Sequence, residues 1–423
     1  MKEPDILNLH VLISHSFSCL NRDDLGMQKS GLMGGVRRTR ISSQALKRAM
    51  RLSPYYRDHL GTPSFRSRNL TLITDHLQGQ LADEFSEEVI RKTARLFVEN
   101  ASAPADADAE AEEEAEELEA GGAGEEEPPA DDTGRAVAPW CVAEIRELCG
   151  RVAQVLDEGL TAEESEKIAA RHAQLLEKYA KAKTKPAKPP KSLRALVEEE
   201  LDKKIVRRLR GQMQGASQDF NQAVDIALSG RMATAGLMTS VYGAMAVAHA
   251  FTTHASEPDI DWFTAMDDLD RKGAGHISTQ ELSADVFYRY ACISLGQLRD
   301  NLGAAPRTRA LDVARHVAHL LATVTPSGKQ QAFGAFNPAE VVLASFSDQP
   351  LSLANAFESP VKAKGEGFLR PSADRMLAYW DDVQVGYSRN DPMAVYSLVP
   401  LEGRTVLPRL DDLEQWIVRD GQC

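Results

Sequence analysis

The order of elements in this 423-residue sequence predicts an α+β protein whose sheet is interrupted by a long helical segment. Three observations predict it. The chain opens with an alternating apolar run followed by a glycine-bearing loop and a helix. From about residue 86 the periodicity turns helical. After residue 223 strand-like and helix-like runs return. That order fits an interrupted sheet of ferredoxin or RRM type.

Residues 6–14 alternate, with Leu7, Leu9, Val11 and Ile13 on one face, and read as a strand. Gly31-Leu-Met-Gly-Gly35 reads as a loop leading into a helix over 42–51. Val89, Ile90, Ala94 and Phe97 are spaced for one helical face. Residues 101–134 contain almost no large apolar side chain and are predicted to be a disordered acidic insertion. Helices are expected to resume at Pro139, a good first-turn residue, and after the capping box Thr161-Ala-Glu-Glu164. Pro186, Pro189 and Pro190 make a loop of the lysine-rich stretch that follows 181, while 192–210 suits a helix with a basic end. Beyond 223, Val286, Tyr288 and Tyr290 alternate within a strand over 281–294. A helix near 306–323 and a strand over 341–346 complete the pattern.

The formal charge of −13 argues against a nucleic-acid partner only until its distribution is read. Residues 103–132 hold fourteen acids and no Lys or Arg, so the remainder of the chain is close to neutral, at +1. Residues 22–51 hold eight cations against Asp23 and Asp24. The five cysteines, Cys19, Cys141, Cys149, Cys292 and Cys423, are scattered without a CxxC pair, which suits a reduced compartment without a disulfide framework or zinc site. The sequence shows neither a secretory apolar segment nor an 18-residue apolar run, so a cytoplasmic protein with no membrane contact is expected.

The richest stretch is Arg40-Ile-Ser-Ser-Gln-Ala-Leu-Lys-Arg-Ala-Met-Arg51. At 100° per residue it gathers Gln44, Lys47, Arg48 and Arg51 on one side, with Leu46, Ala49 and Met50 opposite. Ser42 or Ser43 is a natural N-cap, so the helix entrance should form a phosphate cradle beside those cations. The same pattern also describes a solvated basic face on an ordinary amphipathic helix. Further on, Arg231 and Met232 adjoin in Ser229-Gly-Arg-Met-Ala-Thr-Ala-Gly236, suited to one cation on a phosphate and one thioether against a base, or to core filling.

Catalysis finds little support. Asp268–Glu281 mimics a calcium loop, but Lys272, Gly275 and Thr279 occupy its fifth, eighth and twelfth positions, so it is excluded. The segment reads instead as a hairpin with arms at 259–266 and 277–282. Its Trp262, Phe263, Met266 and Ile277 suit either ordinary core or an exposed apolar wedge. His10 and His15, like His249 and His254, are five residues apart and do not stack on a helical turn. No HExxH helix or Gly-x-Ser-x-Gly elbow occurs. No metal, cofactor or catalytic residue is assigned.

Taken with the helix at 40–51, several motifs carry a family resemblance. They are His10-Val-Leu-Ile-Ser-His-Ser16, Ser18-Cys-Leu-Asn-Arg-Asp-Asp24, Asp225-Ile-Ala-Leu-Ser-Gly-Arg-Met-Ala-Thr234, Asp259-Ile-Asp-Trp-Phe-Thr-Ala265 and Ala335-Phe-Asn-Pro338. In this order they resemble CasC, the Cas-seven backbone subunit family of the type I-E CRISPR Cascade complex, from about residue 5 to the C-terminus.

The resemblance implies a hand-like protein. A modified RRM/ferredoxin-like palm would comprise 1–70 and 221–423, with a helical finger insertion at 71–220 and a β-hairpin thumb at about 255–285. It implies a non-catalytic subunit that polymerises along a CRISPR guide RNA, beside other Cascade subunits, and presents the guide to target DNA in antiviral defence. RNA contacts are then expected at Arg22, Lys29, Ser42, Gln44, Lys47, Arg51, Arg231 and Met232. The thumb would carry Trp262, Phe263, Thr264 and Ile277. Target DNA would meet finger lysines together with Lys362 and Lys364. The sequence departs from the family at Arg51, where a lysine is usual, and in its acidic insertion. A CRISPR RNA endoribonuclease of the RRM-like superfamily, using His10 or His15 as general base, is the competing enzyme class. A monomeric single-strand RNA-binding module is a third.

Overall fold

The long strand β1 (Ile6–Ser18) shows why the chain folds around a sheet, because both its faces are covered, one apolar from Leu7 to Ile13 and the other setting Leu12 among buried, hydrogen-bonded Asn8 and His10. The computed structural model describes residues 4–67, 69–100, 138–181, 189–213, 223–231, 240–264, 277–363, 365 and 367–422. The acidic segment, the hairpin tip, Met232 and Lys364 lie outside them.

After β1 come β2 (Ser30–Met33), β3 (Val36–Ile41), α1 (Ser43–Leu52), α2 (Pro54–Leu60) and β4 (Phe65–Ser67). A mainly helical run follows: α3 (Leu70–Leu81), α4 (Glu87–Asn100), β5 (Ala138–Trp140), α5 (Val142–Glu158), α6 (Ala162–Lys181) and α7 (Leu193–Met213). The chain then returns through α8 (Val224–Ser229), β6 (Met245–Val247), β7 (Ala250–Thr252), β8 (Asp259–Thr264) and β9 (Ile277–Ser294). It continues with α9 (Leu295–Asn301), α10 (Arg307–Thr323), α11 (Gln330–Phe333) and β10 (Val341–Ser347). A 3₁₀ turn (Ala354–Phe357), α12 (Leu369–Gly386), β11 (Met393–Ser397) and α13 (Leu410–Val418) close the chain.

The sheet is antiparallel, in the order β11-β10-β1-β9-β7-β3-β2, and β9 also pairs with β6 and β8. Strand alternation sorts the two cores. Leu7, Leu9, Val11 and Ile13 pack with α1, α2, α10 and α13 on one face. Leu12 joins Tyr288, Phe357, Met376 and Trp380 on the other. Each such buried aliphatic or aromatic side chain contributes roughly 1.5–3 kcal/mol. A separate apolar cluster joins α3, α4, α5 and α7 around Phe97, Ile145, Leu148 and Ile205. Pairing of β4 with β5, Phe65 opposite Trp140, stitches the start of this helical run to its middle.

Two local expectations are corrected. The stretch at 31–35 is not a loop but the hairpin of β2 and β3, turning at Gly34 and Gly35 with φ of 61° and 76°. Two adjacent positive-φ residues suit a two-residue hairpin, and a Cβ at Gly34 would also sit 1.6 Å from the Glu358 carbonyl oxygen. Pro139 lies in strand β5, and the helix starts only at Val142. The capping box at 161–164 forms as expected: Thr161 N–H donates to Glu164 Oε2 at 2.8 Å and Glu164 N–H to Thr161 Oγ1 at 3.2 Å.

Candidate nucleic-acid interface

Helix α1 forms where its cap predicts. Ser42 Oγ accepts the Ala45 N–H at 3.1 Å. Its entrance, however, is closed: Ser42 is fully buried and its N–H is held by Asn21 Oδ1 at 2.7 Å. The expected face also divides. Gln44 and Arg51 are buried, at 8% and 9% exposure, while Lys47 and Arg48 are half-buried. The physical reason is that other parts of the chain cover Ser42 and Arg51, through Asn21 and Ser64, while Arg48 and Leu52 line an open cleft.

Arg51 Nη1 donates to the Ser64 carbonyl at 2.9 Å, and Ser64 N–H donates to both oxygens of Asp225 at 3.1 and 3.2 Å. The Ser64 hydroxyl donates to Asp225 as well. Lys47, Arg51, Arg66 and Asp225 thus surround a cavity of only about 30 Å³, room for one water and no nucleotide. Arg51 therefore ties α1 to the segment leading into the helical run.

On the other flank of α1 a cleft of about 880 Å³ opens between α1, α2 and the loop 323–331. Arg22, Arg48 and Lys329 supply its cations, and Tyr55, Thr325, Ser327 and Gln331 its other polar groups. Arg22 stands in a tight loop whose closing bridge to Gln28 places Lys29, half-buried, at the start of the β2 hairpin. Arg48 belongs to the basic face read from the sequence but not to the contacts the resemblance implies, and Lys329 and Tyr55 belong to neither. Lys329 arrives from far downstream of α1, and the one local cue that could have marked its loop is the turn signal Pro326-Ser-Gly328 before it.

The hairpin beside this cleft forms in the expected register, Asp259 opposite Leu282 through Thr264 opposite Ile277. Trp262 is 70% exposed and Phe263 42%, so neither belongs to the core. Thr264 and Ile277 pair through their backbones at the end of the described arms. The base of the hairpin is anchored: Gln28 N–H donates to Glu281 Oε2 and Gln28 Nε2 to Ser283 Oγ, both at 2.9 Å. Lys329 Nζ stands 5.6 Å from the centre of the Phe263 ring.

Arg231 is placed differently from the expectation. It is buried, and its two terminal nitrogens grip Glu144 of α5 at 2.7 and 2.9 Å, which commits it to an internal ion pair. In the helical run several described lysines are paired with acids. Lys191 and Lys203 meet Glu199, Lys204 meets Glu164, and Lys92 meets Asp202. Lys362 is exposed, one residue beyond Val361, whose N–H is bonded to the Thr253 carbonyl at 3.0 Å.

The two histidines of the enzyme reading are interior groups. His10 is fully buried, stacked near Tyr290 and bonded through Nδ1 to Tyr288 Oη at 2.9 Å. Buried His15 has Nε2 3.1 Å from Arg289, whose guanidinium caps the C-terminal carbonyls of Leu321 and Val324. Burial pushes both imidazoles down to about 3, aided for His15 by Arg289. Neither reaches a surface where it would meet a substrate.

These histidines stay neutral in the folded chain yet protonate near 6.5 when it unfolds, so the unfolded state binds more protons between those values. Stability is therefore intact above about pH 6.5 and is expected to fall toward pH 3, by up to about 1.4 kcal/mol per pH unit for each histidine. Urea melts from pH 7 to pH 4 read this slope, and His10→Gln should flatten it. An equal slope in that variant would contradict the assignment.

The fold is α+β, with a cationic cleft beside a hairpin that exposes two aromatic rings. The sequence matches the CT1975-like protein family over residues 7–413, and the chain belongs to that family. Two solved structures share the fold. One, a chain described as "CRISPR RNA-guided surveillance complex, pre-nicking", has 24% identity and a TM-score of 0.65, covering 99% of this chain and all of that one. The other, described as "CRISPR RNA-guided surveillance complex", has 17% identity and a TM-score of 0.50, with 98% of each chain covered. A comparison with curated proteins gave no match. Among the described residues no helix is long and apolar enough to cross a membrane.

Proposed function

We propose that the chain is a non-catalytic, guide-RNA-binding backbone subunit of a CRISPR Cascade complex in the cytoplasm. It polymerises along the guide and presents it for pairing with target DNA. The observation that carries this reading is the juxtaposition of a cleft bearing Arg22, Arg48 and Lys329 with a hairpin exposing Trp262 and Phe263. A subunit that accepts any guide must hold phosphate and sugar without reading base edges. Cations combined with apolar wedges meet that need. Membership in the CT1975-like family and the fold shared with chains of RNA-guided surveillance complexes support it.

In this reading the sheet is an RRM-like palm, the helical run a finger, and β8 with the first part of β9 a thumb. The strand order β10-β1-β9, with α1, α2 and α10 on one face, suits such a palm. The type I-E assignment rests on the motifs quoted above. Lys362, exposed beyond the 3₁₀ turn, is assigned to target DNA in this reading because its charge is open to solvent. Base pairing by the guide then supplies sequence selectivity. Filter binding to single-stranded RNAs of unrelated sequence tests the reading: equal affinities that fall with salt are expected. A strong preference for one sequence, or cleavage of the RNA, would overturn it.

A further inference from the structure

Lys329 faces the cleft and the hairpin at once. The loop that carries it is pressed against the chain segment opening the cleft, since a Cβ at Gly328 would meet the Leu20 carbonyl oxygen at 2.5 Å. Lys329 itself adopts a left-handed φ of 52°, which costs a non-glycine residue conformational energy and turns its side chain out of the loop. Its ammonium lies over the Phe263 ring and 3.4 Å from Gln280 Oε1 on the opposite arm. Successive strand residues face opposite sides, so Phe263 is the cleft-side ring and Trp262 projects away from it.

We infer that Lys329 is both a phosphate-binding residue and the positioning residue of the hairpin, joining occupancy of the cleft to the placement of the apolar wedge. A cation over an aromatic face is held by the ring's quadrupole at about 0.5–1 kcal/mol in an exposed site. A phosphate oxygen in the cleft offers the same ammonium a stronger, charge-assisted contact. RNA entering the cleft therefore draws on the group that fixes Phe263, and the hairpin responds to it. The RNA half of this inference rests on the proposed function; the hairpin half does not.

The test reads the two halves separately. Hydrogen exchange of 259–264 in the RNA-free protein reports the clasp, and the dependence of RNA affinity on salt reports the phosphate contact. Lys329→Met, which keeps the stem and removes the charge, is expected to reduce protection of 259–264 and to lower the magnitude of the salt slope by about 0.7, the value for one phosphate on a single strand. Lys329→Arg should preserve both readouts, and Phe263→Leu should loosen the hairpin while leaving the slope unchanged. Unchanged protection in Lys329→Met would overturn the clasp, and an unchanged slope the phosphate contact. Absence of salt-dependent RNA binding in the wild-type chain would instead overturn the proposed function, and would leave the hairpin readout standing.

Discussion

Glu144→Ala is expected to lower stability by about 3–5 kcal/mol, the cost of leaving a buried charge without its partner. Arg231 and Glu144 are both almost wholly inside, with side-chain exposures of 2% and 0%, and their bidentate contact joins helix α5 to the chain returning from the helical run. Arg231 also exchanges both backbone hydrogen bonds with Val241, so the cation is fixed at a rigid neck. The loss should appear in urea melts. Replacing both partners, Glu144→Leu with Arg231→Met, should recover much of it, because no orphaned charge remains. A Glu144→Ala variant as stable as the parent would show the pair to be solvated.

The cations of α1 should separate into two kinds. Arg48→Ala, at a residue that faces the open cleft, is expected to reduce the magnitude of the salt slope for RNA by about 0.7, one phosphate on a single strand, with stability within about 0.5 kcal/mol of the parent. Arg51→Ala should do the reverse. Its guanidinium holds the Ser64 carbonyl beside Asp225, so its loss should cost about 1–3 kcal/mol of stability and leave the slope nearly intact. Salt titrations and melts on the same three proteins decide the matter. A slope reduced by Arg51→Ala alone, in a fully stable protein, would return Arg51 to the RNA.

The same residue shows where sequence reading succeeds and where it stops. Periodicity placed Leu7, Leu9, Val11 and Ile13 on one face and set α1 between Ser42 and residue 51, because both follow from local geometry. Periodicity could not tell which arc of α1 would be covered, since that depends on Asn21, Ser64 and Asp225 arriving from elsewhere in the chain. Gly34-Gly35 looked like a loop because its flanking strands are short, and the close approach to Glu358 that demands glycine is a tertiary fact. Arg231 stood beside Met232 in a promising motif, yet its partner Glu144 lies 87 residues earlier. Lys329 was missed for the same reason. The hairpin was legible, because alternating arms around a glycine-rich stretch are a local signal, and the exposure of Trp262 then excluded the core reading.

The central claim is that one chain grips RNA without reading it and repeats that grip copy by copy. Native mass spectrometry of the protein on single-stranded RNAs of increasing length tests it most directly. The expected result is a number of bound copies that rises in equal steps with length and does not change when the sequence is scrambled. A single copy on every length, or steps that move with sequence, would contradict it.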